Sequence, residues 1–514
     1  MSDLVLINAN VITMNPKFPR ARIIHIRNGR IASVSAEHTP FLWRDTITKR
    51  VVLDCQGKTV VPGFIDPHCH LFFYASSFKN LDVGPRHVSS IADMQNLINK
   101  AAKELPPGTW ILGSGYNEFY LAEKRHPTRW DLDAVSPDHP VRLAHRSGYA
   151  HVLNSLALER VGISKETGDP PDGLIDRDIT TGEPSGLLYG MSKTLAKFMA
   201  DAQNNQAEEG IRLAGRALSS YGVTSIHDAS VRNDLNHIAL FRSWQQRGDL
   251  PQRVSMVLGW EAFKKIIEGE GVPQDDDFIR IKGVKIIIHE ITGQMSPSQP
   301  ELNEMVLLIH RAGHQAVIHA VEEKHIIAAC IAIEHAMNVH PLAGHRHRIE
   351  HCSVCSPALA KRLASAGIIV VTQPAFVYYN GERYLRTVPQ GDLAHLYPVA
   401  TLMRFGVKVA GSSDFPIVPA NPLIGMYSAV SRKAENGEHL LPEEKITPFK
   451  ALSLFTDNAA SAICTESNRG SIQPGKFADL AILSDDPTGI PEEAIKDIQV
   501  DMTIINGQVI WERR

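Results

Sequence analysis

Six side chains able to bind a cation or move a proton recur at matching places along this chain of 514 residues: His68, His70, Lys285, His319, His351 and Asp414. Five of them stand at the end of a short strand-like run. Gly63-Phe64-Ile65-Asp66-Pro67 leads into His68-Cys69-His70, Val317-Ile318 into His319, Ile349-Glu350 into His351, and Gly411-Ser412-Ser413 into Asp414. The sixth, Lys285, lies inside Gly283-Val284-Lys285-Ile286-Ile287-Ile288. Along a strand the side-chain direction repeats every two residues, so His68 and His70 share a face and Cys69 takes the other. Two imidazoles ~6–7 Å apart on one strand can reach a single ion. A lone His at a strand end is ordinarily structural, and among 23 histidines some His-x-His pairs arise by chance. Four His and an Asp at equivalent strand ends are another matter. Buried together without a shared partner they would be costly, and a divalent metal is that partner. Imidazole and carboxylate donors suit zinc, with iron or manganese as alternatives.

Lys285 has two readings. A buried ammonium beside cations is desolvated and repelled, which lowers its pKa. The neutral amine can add carbon dioxide, and the resulting carbamate has two oxygens able to bridge two metals. Alternatively the stem is buried and the ammonium reaches solvent. Three other motifs have plainer readings. Cys352-Ser353-Val354-Cys355 is a single CxxC without the second pair a zinc site needs. His345-Arg346-His347-Arg348 is a basic stretch able to bind an anion but expected simply to face solvent, and Asp275-Asp276-Asp277 reads as a solvated loop.

The elements that must carry these residues follow a strand-then-helix rhythm. Strands are expected at Val60–Ile65, Val223–Ile226, Arg253–Leu258, Val284–Ile288, Ala316–Ile318, Arg348–Ile349, Ile368–Thr372 and Lys408–Ala410. Helical patterns at Glu301–Ala312, Glu323–Met337, Pro357–Ala366 and Val399–Phe405 separate the later ones. Spacings of ~30 residues fit βα units, and eight such strands fit an α/β fold of the (β/α)8 TIM-barrel type. Active sites of such barrels form at the C-terminal strand ends, where the candidate residues stand. Residues 62–464 are the expected barrel, interrupted over about 75–207 by an insertion expected to pack over the barrel mouth. Residues 1–61 and 465–514 are both rich in short β runs with Asn-Gly turns, at Asn28-Gly29 and Asn506-Gly507. Together they are expected to form one small composite β-sandwich domain.

Composition narrows the function classes. Fifty-three Lys+Arg against 56 Asp+Glu leaves a formal charge of −3, with no basic block to grip nucleic acid or an anionic membrane. No apolar run reaches the ~18–20 residues a bilayer crossing needs, and MSDLVLINANVITM lacks the basic start of a signal peptide. Six Cys in so long a chain are no disulfide framework, so a reducing, cytoplasmic setting is expected. A small-molecule substrate is the expected partner, and a homodimer the expected assembly.

With these motifs in place, the sequence resembles a known family. Pro62-Gly63-Phe64-Ile65-Asp66-Pro67-His68-Cys69-His70 resembles the first-strand signature of the amidohydrolase superfamily, and Pro474-Gly475-Lys476-Phe477-Ala478-Asp479-Leu480 resembles its closing β segment. His347-Arg348-Ile349-Glu350-His351, Thr372-Gln373-Pro374, Ser413-Asp414-Phe415-Pro416 and Leu153-Asn154-Ser155-Leu156 are similar to the amidohydrolase 3, or YtcJ-like, branch. The resemblance implies one metal held by His68, His70 and Asp414, a second by His319 and His351, and carboxylated Lys285 between them. It implies a hydrolase acting on a carbon–nitrogen bond other than a peptide bond, in an amide or an N-substituted formamide. Metal-bound hydroxide would attack the carbonyl, with Asp414 relaying the proton to the leaving nitrogen. Tyr149 or His145 would donate to the oxyanion or serve only packing. The pattern departs from the family at Ile286–Thr292, at Val321-Glu322-Glu323-Lys324 after His319, and at Tyr149 after Ser147-Gly148. The alternatives are a metal-assisted isomerase or decarboxylase, since fold does not fix reaction, and a non-catalytic regulatory relative.

Overall fold

Eight strands in strict chain order pair side by side, every pair parallel: β1 (Phe64–Cys69), β2 (Val223–Asp228), β3 (Arg253–Gly259), β4 (Ile279–Ile287), β5 (Ala316–Ala320), β6 (Arg348–His351), β7 (Ile369–Thr372) and β8 (Lys408–Gly411). This is the architecture of a computed structural model that describes residues 3–36, 50–170, 173–198, 200–269, 271, 274–291 and 294–514. The sheet's two edges meet at the C-terminal rim. Asp414 N–H donates to His68 O at 3.1 Å and His70 N–H donates to Phe415 O at 2.9 Å. The strands are apolar on both faces because helices cover them outside: Gln299–Arg311, Glu323–Val339, Pro357–Ser365 and Val399–Arg404 fall within two residues of the expected patterns.

The first strand differs from its expected span. Val60–Ile65 reads as one apolar run, but it serves two sheets. Thr59–Pro62 pairs antiparallel with Leu480–Leu483 and parallel with Asn10–Ile12, while the barrel strand starts at Phe64. Gly63 is the hinge. A Cβ there would lie 2.3 Å from the Thr224 side chain, so only glycine lets the chain pass from one sheet to the other at this distance. A six-stranded and a four-stranded sheet, both drawn from the chain ends, share an apolar core that includes Leu4, Leu6, Ile24, Val60, Leu480 and Ile504.

Between β1 and β2 the chain forms a second compact unit, residues 71–214, distinct from the first (1–70 and 215–514). It has its own six-stranded sheet, with Ala150–Leu153 and Val141–His145 in its middle, and its own core around Met94, Ile98, Leu132, Leu143 and Val152. Among the described residues no helix is long and apolar enough to cross a membrane.

The basic stretch before β6 does not face solvent, contrary to the sequence reading. His345 contacts Ala366 O at 2.7 Å, and Arg346 pairs with Glu466 at 2.5 Å. Arg348 is fully buried. His347 joins a relay whose protons the geometry fixes. Ala316 N–H donates to His347 Nδ1 at 2.9 Å, so that nitrogen carries a lone pair and Nε2 carries the proton. Nε2–H then donates to His310 Nδ1 at 2.8 Å, and His310 Nε2–H to His340 O at 2.7 Å. The His347 ring is satisfied in this relay only while neutral. Burial, reinforced by His345 and His310, pushes His347 down to about 3. An unfolded His titrates near 6.5, so between about pH 6.5 and 3 the unfolded chain holds a proton the folded chain refuses. Stability is therefore full above that window and lost as pH falls through it, by up to about 1.4 kcal/mol per pH unit. His347→Gln keeps an acceptor and a donor but cannot titrate. Denaturant unfolding from pH 8 to 4 should show a shallower acid loss in His347→Gln than in the native chain; parallel curves would contradict the relay.

Candidate metal centre

Three of the candidate side chains converge at the barrel's C-terminal rim so closely that their ligand atoms all lie within 4.8 Å of one another: His68, His351 and Asp414. All three are buried. His68 reaches in from the end of β1, His351 ends β6, and Asp414 follows β8. The closing hydrogen bonds between β1 and the segment after β8 are thus also what sets Asp414 beside the His-x-His pair. His68 Nε2 lies 3.5 Å and His70 Nε2 3.2 Å from Asp414 Oδ1, and His351 Nδ1 lies 4.0 Å from Oδ2. The His68 ring centre is 5.4 Å from that of His70 and 4.9 Å from that of His351. His319, on β5, stands edge-on to His351 at 4.3 Å. Lys285, on β4, is 2% exposed. The structure therefore brings His68, His70, His319, His351 and Asp414 together, and it turns Lys285 into the barrel rather than out to solvent.

Two backbone features aim the side chains. His351 and Asp414 both have left-handed backbones, with φ of 69° and 58°, a conformation that costs a non-glycine residue about 1–2 kcal/mol. In β6 that turn lets His351 join the cluster although its neighbour Glu350 also contacts His68. The buried Asp66 carboxylate braces the other side. It accepts the Ser413 hydroxyl at 2.5 Å, the Ser413 N–H at 3.2 Å and the His68 N–H at 3.2 Å.

The imidazoles are held by their Nδ1 atoms. His68 Nδ1 is bonded to Glu350, His70 Nδ1 to Ser230 Oγ at 3.0 Å, and His351 Nδ1 donates to Gln373 Oε1 at 2.8 Å. With Nδ1 committed, the Nε2 atoms are left for a cation. The buried polar atoms without an aligned hydrogen-bond partner include His68 Nε2, Asp414 Oδ1 and Lys285 Nζ. Leaving such atoms unsatisfied costs about 1–3 kcal/mol each, and a shared divalent cation would satisfy them. The donor set thus fits a metal. Burial drives His68 and His319 well below the ordinary imidazole value, and lowers His351 as well. The rings are therefore neutral, as ligands must be. Burial opposes ionisation of Asp414, but His68, His70 and His351 outweigh it and hold the carboxyl below its usual range. Burial lowers Lys285 to about 8.

His145 and Tyr149 belong to the second compact unit. His145 faces Glu118 at 3.0 Å and Ser147 Oγ at 2.7 Å, and the contact with His145 helps hold Glu118 down at about 2. Tyr149 is half exposed beside Tyr189. The two CxxC thiols, Cys352 and Cys355, are buried and free.

The sequence reading passed over Glu350, Arg348, Asp66, Ser413, Ser230 and Gln373. One signal was available. Arg348 and Glu350 stand two apart in a strand covered on both faces, so they share a face and have to pair there; the observed Nε to Oε1 distance is 2.6 Å.

A sequence profile of the amidohydrolase family matches residues 51–511. The N-substituted formamide deformylase of Arthrobacter pascens is 29% identical over 548 aligned positions, which cover 100% of this chain and 99% of the relative. Crystal structures of uncharacterized metal-dependent hydrolases from Pyrococcus horikoshii and Pyrococcus furiosus superpose with TM-scores of 0.76 and 0.74 at 22% and 23% identity. They cover 96% and 95% of this chain and 99% and 100% of their own, and so share its fold.

A metal bound only by the folded chain must stabilise it, by about 2.7 kcal/mol at a hundredfold excess over Kd. Thermal melts of chelator-treated protein with and without added zinc should therefore differ, and His351→Asn should abolish most of the difference. An equal zinc shift in both proteins would remove His351 from the centre.

Proposed function

The chain belongs to the amidohydrolase family, and from that premise we propose that it is a metal-dependent hydrolase of a carbon–nitrogen bond, with N-substituted formamides and related amides as its substrate class. The observation that carries this reading is the set of buried polar atoms at the rim without an aligned hydrogen-bond partner: His68 Nε2, Asp414 Oδ1 and Lys285 Nζ. The name of the 29%-identical deformylase points to the same substrate class. In this reading His68, His70, His319, His351 and Asp414 hold the metal. Lys285 in its neutral form would add carbon dioxide, lose a nitrogen proton to water and offer the carbamate oxygens to the metal, which its lowered pKa favours. A divalent cation in such a site lowers the pKa of water from 15.7 to about 7 and polarises a carbonyl.

The chain's own part in the reaction is proton movement. Asp414 is ionised at neutral pH, its carboxyl being held below its usual range beside His68, His70 and His351. It accepts a proton from the water whose oxygen bonds to the substrate carbonyl carbon. When the C–N bond breaks, Asp414 returns that proton to the leaving nitrogen, releasing an amine and formate or another carboxylate. The left-handed backbone at Asp414 and the Asp66–Ser413 brace keep the carboxylate facing the His-x-His pair throughout.

Zinc-loaded protein should release formate and amine in equal amounts from a panel of N-alkyl and N-aryl formamides. Asp414→Asn should stay folded and lose about 10²–10⁴-fold in kcat, the range of a general base. Near-native turnover in that variant would contradict the proton role. Failure to cleave any formamide or amide would contradict the substrate class.

A further inference from the structure

Each oxygen of Glu350 faces a partner of its own. Oε2 is bonded to His68 Nδ1 and Oε1 lies 2.6 Å from Arg348 Nε. Glu350 and Arg348 are both 0% exposed. Arg348 is pinned in turn by Pro67 O at 3.1 Å and Ala462 O at 3.2 Å. Pro67 immediately precedes His68, so one guanidinium grips both the strand that bears the imidazole and the carboxylate that orients it. A carboxylate facing an imidazole nitrogen only accepts. His68 must therefore carry its proton on Nδ1 and present a lone pair at Nε2, 3.5 Å from Asp414 Oδ1. Two acceptors meet there, and a cation between them resolves the conflict.

We propose that Glu350 is the positioning residue of the metal centre: held by Arg348, it locks His68 in the one tautomer and ring orientation that offer Nε2 to the cation. Metal-ligating histidines commonly have such a carboxylate partner, and removing it weakens metal binding about 10–100-fold. His70 and His351 take weaker partners at Nδ1, a serine hydroxyl and a glutamine amide. Glu350 is the charged clamp, and it acts on the deepest of the three rings.

The inference rests on the metal-dependent reading above, and its test reads metal retention rather than turnover. Glu350→Gln preserves shape. The buried Arg348 guanidinium claims the amide oxygen, which leaves the amide NH2 facing His68 Nδ1. That nitrogen becomes an acceptor, its proton moves to Nε2, and the ligand position is blocked. Zinc transfer from the loaded protein to a chromogenic chelator should be about 10–100-fold faster in Glu350→Gln than in the native chain, while the zinc-free far-UV spectrum and melting remain native-like. Glu350→Asp keeps the charge but draws it back by one methylene and should release zinc at an intermediate rate. This second variant decides the matter if Glu350→Gln does not fold. A purely structural Glu350 gives the opposite pattern: a lower zinc-free melting temperature with an unchanged release rate, which would overturn the proposal. So would a zinc-loaded structure with Glu350 coordinated directly. Native protein that binds no zinc would overturn both this inference and the proposed function. Native protein that binds zinc but cleaves no amide would overturn only the function.

Discussion

Burying several imidazoles, a carboxylate and a lysine at one barrel rim is the constraint on which the rest of this structure depends. Taken from water without partners, such groups cost more than any surface contact returns. The protein responds in two ways. Neutral rings replace charged ones, as the lowered His68, His319 and His351 values show. The outward nitrogens are satisfied by Glu350, Ser230 and Gln373. Among the inward atoms, His68 Nε2 and Asp414 Oδ1 have no aligned hydrogen-bond partner, and the left-handed turns at His351 and Asp414 hold strain at the same place. Strain and unsatisfied polarity at the same few residues mark a place built for something to bind.

The barrel exists, from the site's standpoint, to bring chain-distant residues into register. Closure is achieved by backbone bonds between β1 and the segment following β8, at the residues that carry His68, His70 and Asp414. Closing the sheet and assembling the centre are therefore one event. Asp66 makes the link explicit, since its carboxylate bonds the amides of both His68 and Ser413. Below the rim, the Arg348–Glu350 pair ties β6 back to Pro67 in β1. At the N-terminal ends of β5 and β6, the His347–His310 relay joins Ala316 to the loop at His340.

Much of this was legible in residue order. Short β-branched runs marked seven barrel strands and, at Phe64-Ile65, the start of the first, and period-two alternation put His68 and His70 on one face with Cys69 on the other. What escaped the sequence has physical reasons. Val60–Ile65 is a continuous apolar run, and the break at Gly63 comes from a close approach to Thr224 that no local pattern encodes. His345–Arg348 looked like solvated charge because burial of a basic stretch depends on carbonyls and acids elsewhere in the chain, such as Ala366 O and Glu466. Left-handed φ at His351 and Asp414 is only weakly signalled, since Asp and His adopt it more often than other non-glycine residues but still rarely. Glu350 was hidden by its neighbour, since alternation assigns adjacent residues to opposite faces and only the turned backbone at His351 brings both to the same centre.

The central claim is that imidazole nitrogens from separate strands meet on one cation. X-ray absorption of the zinc-loaded protein tests it most directly. The account requires a first shell with several imidazole nitrogens near 2.0–2.1 Å, about the usual zinc–histidine distance, and a measurable loss of imidazole scattering in His68→Asn. A shell of water and carboxylate oxygens alone, or one unchanged by His68→Asn, would contradict it.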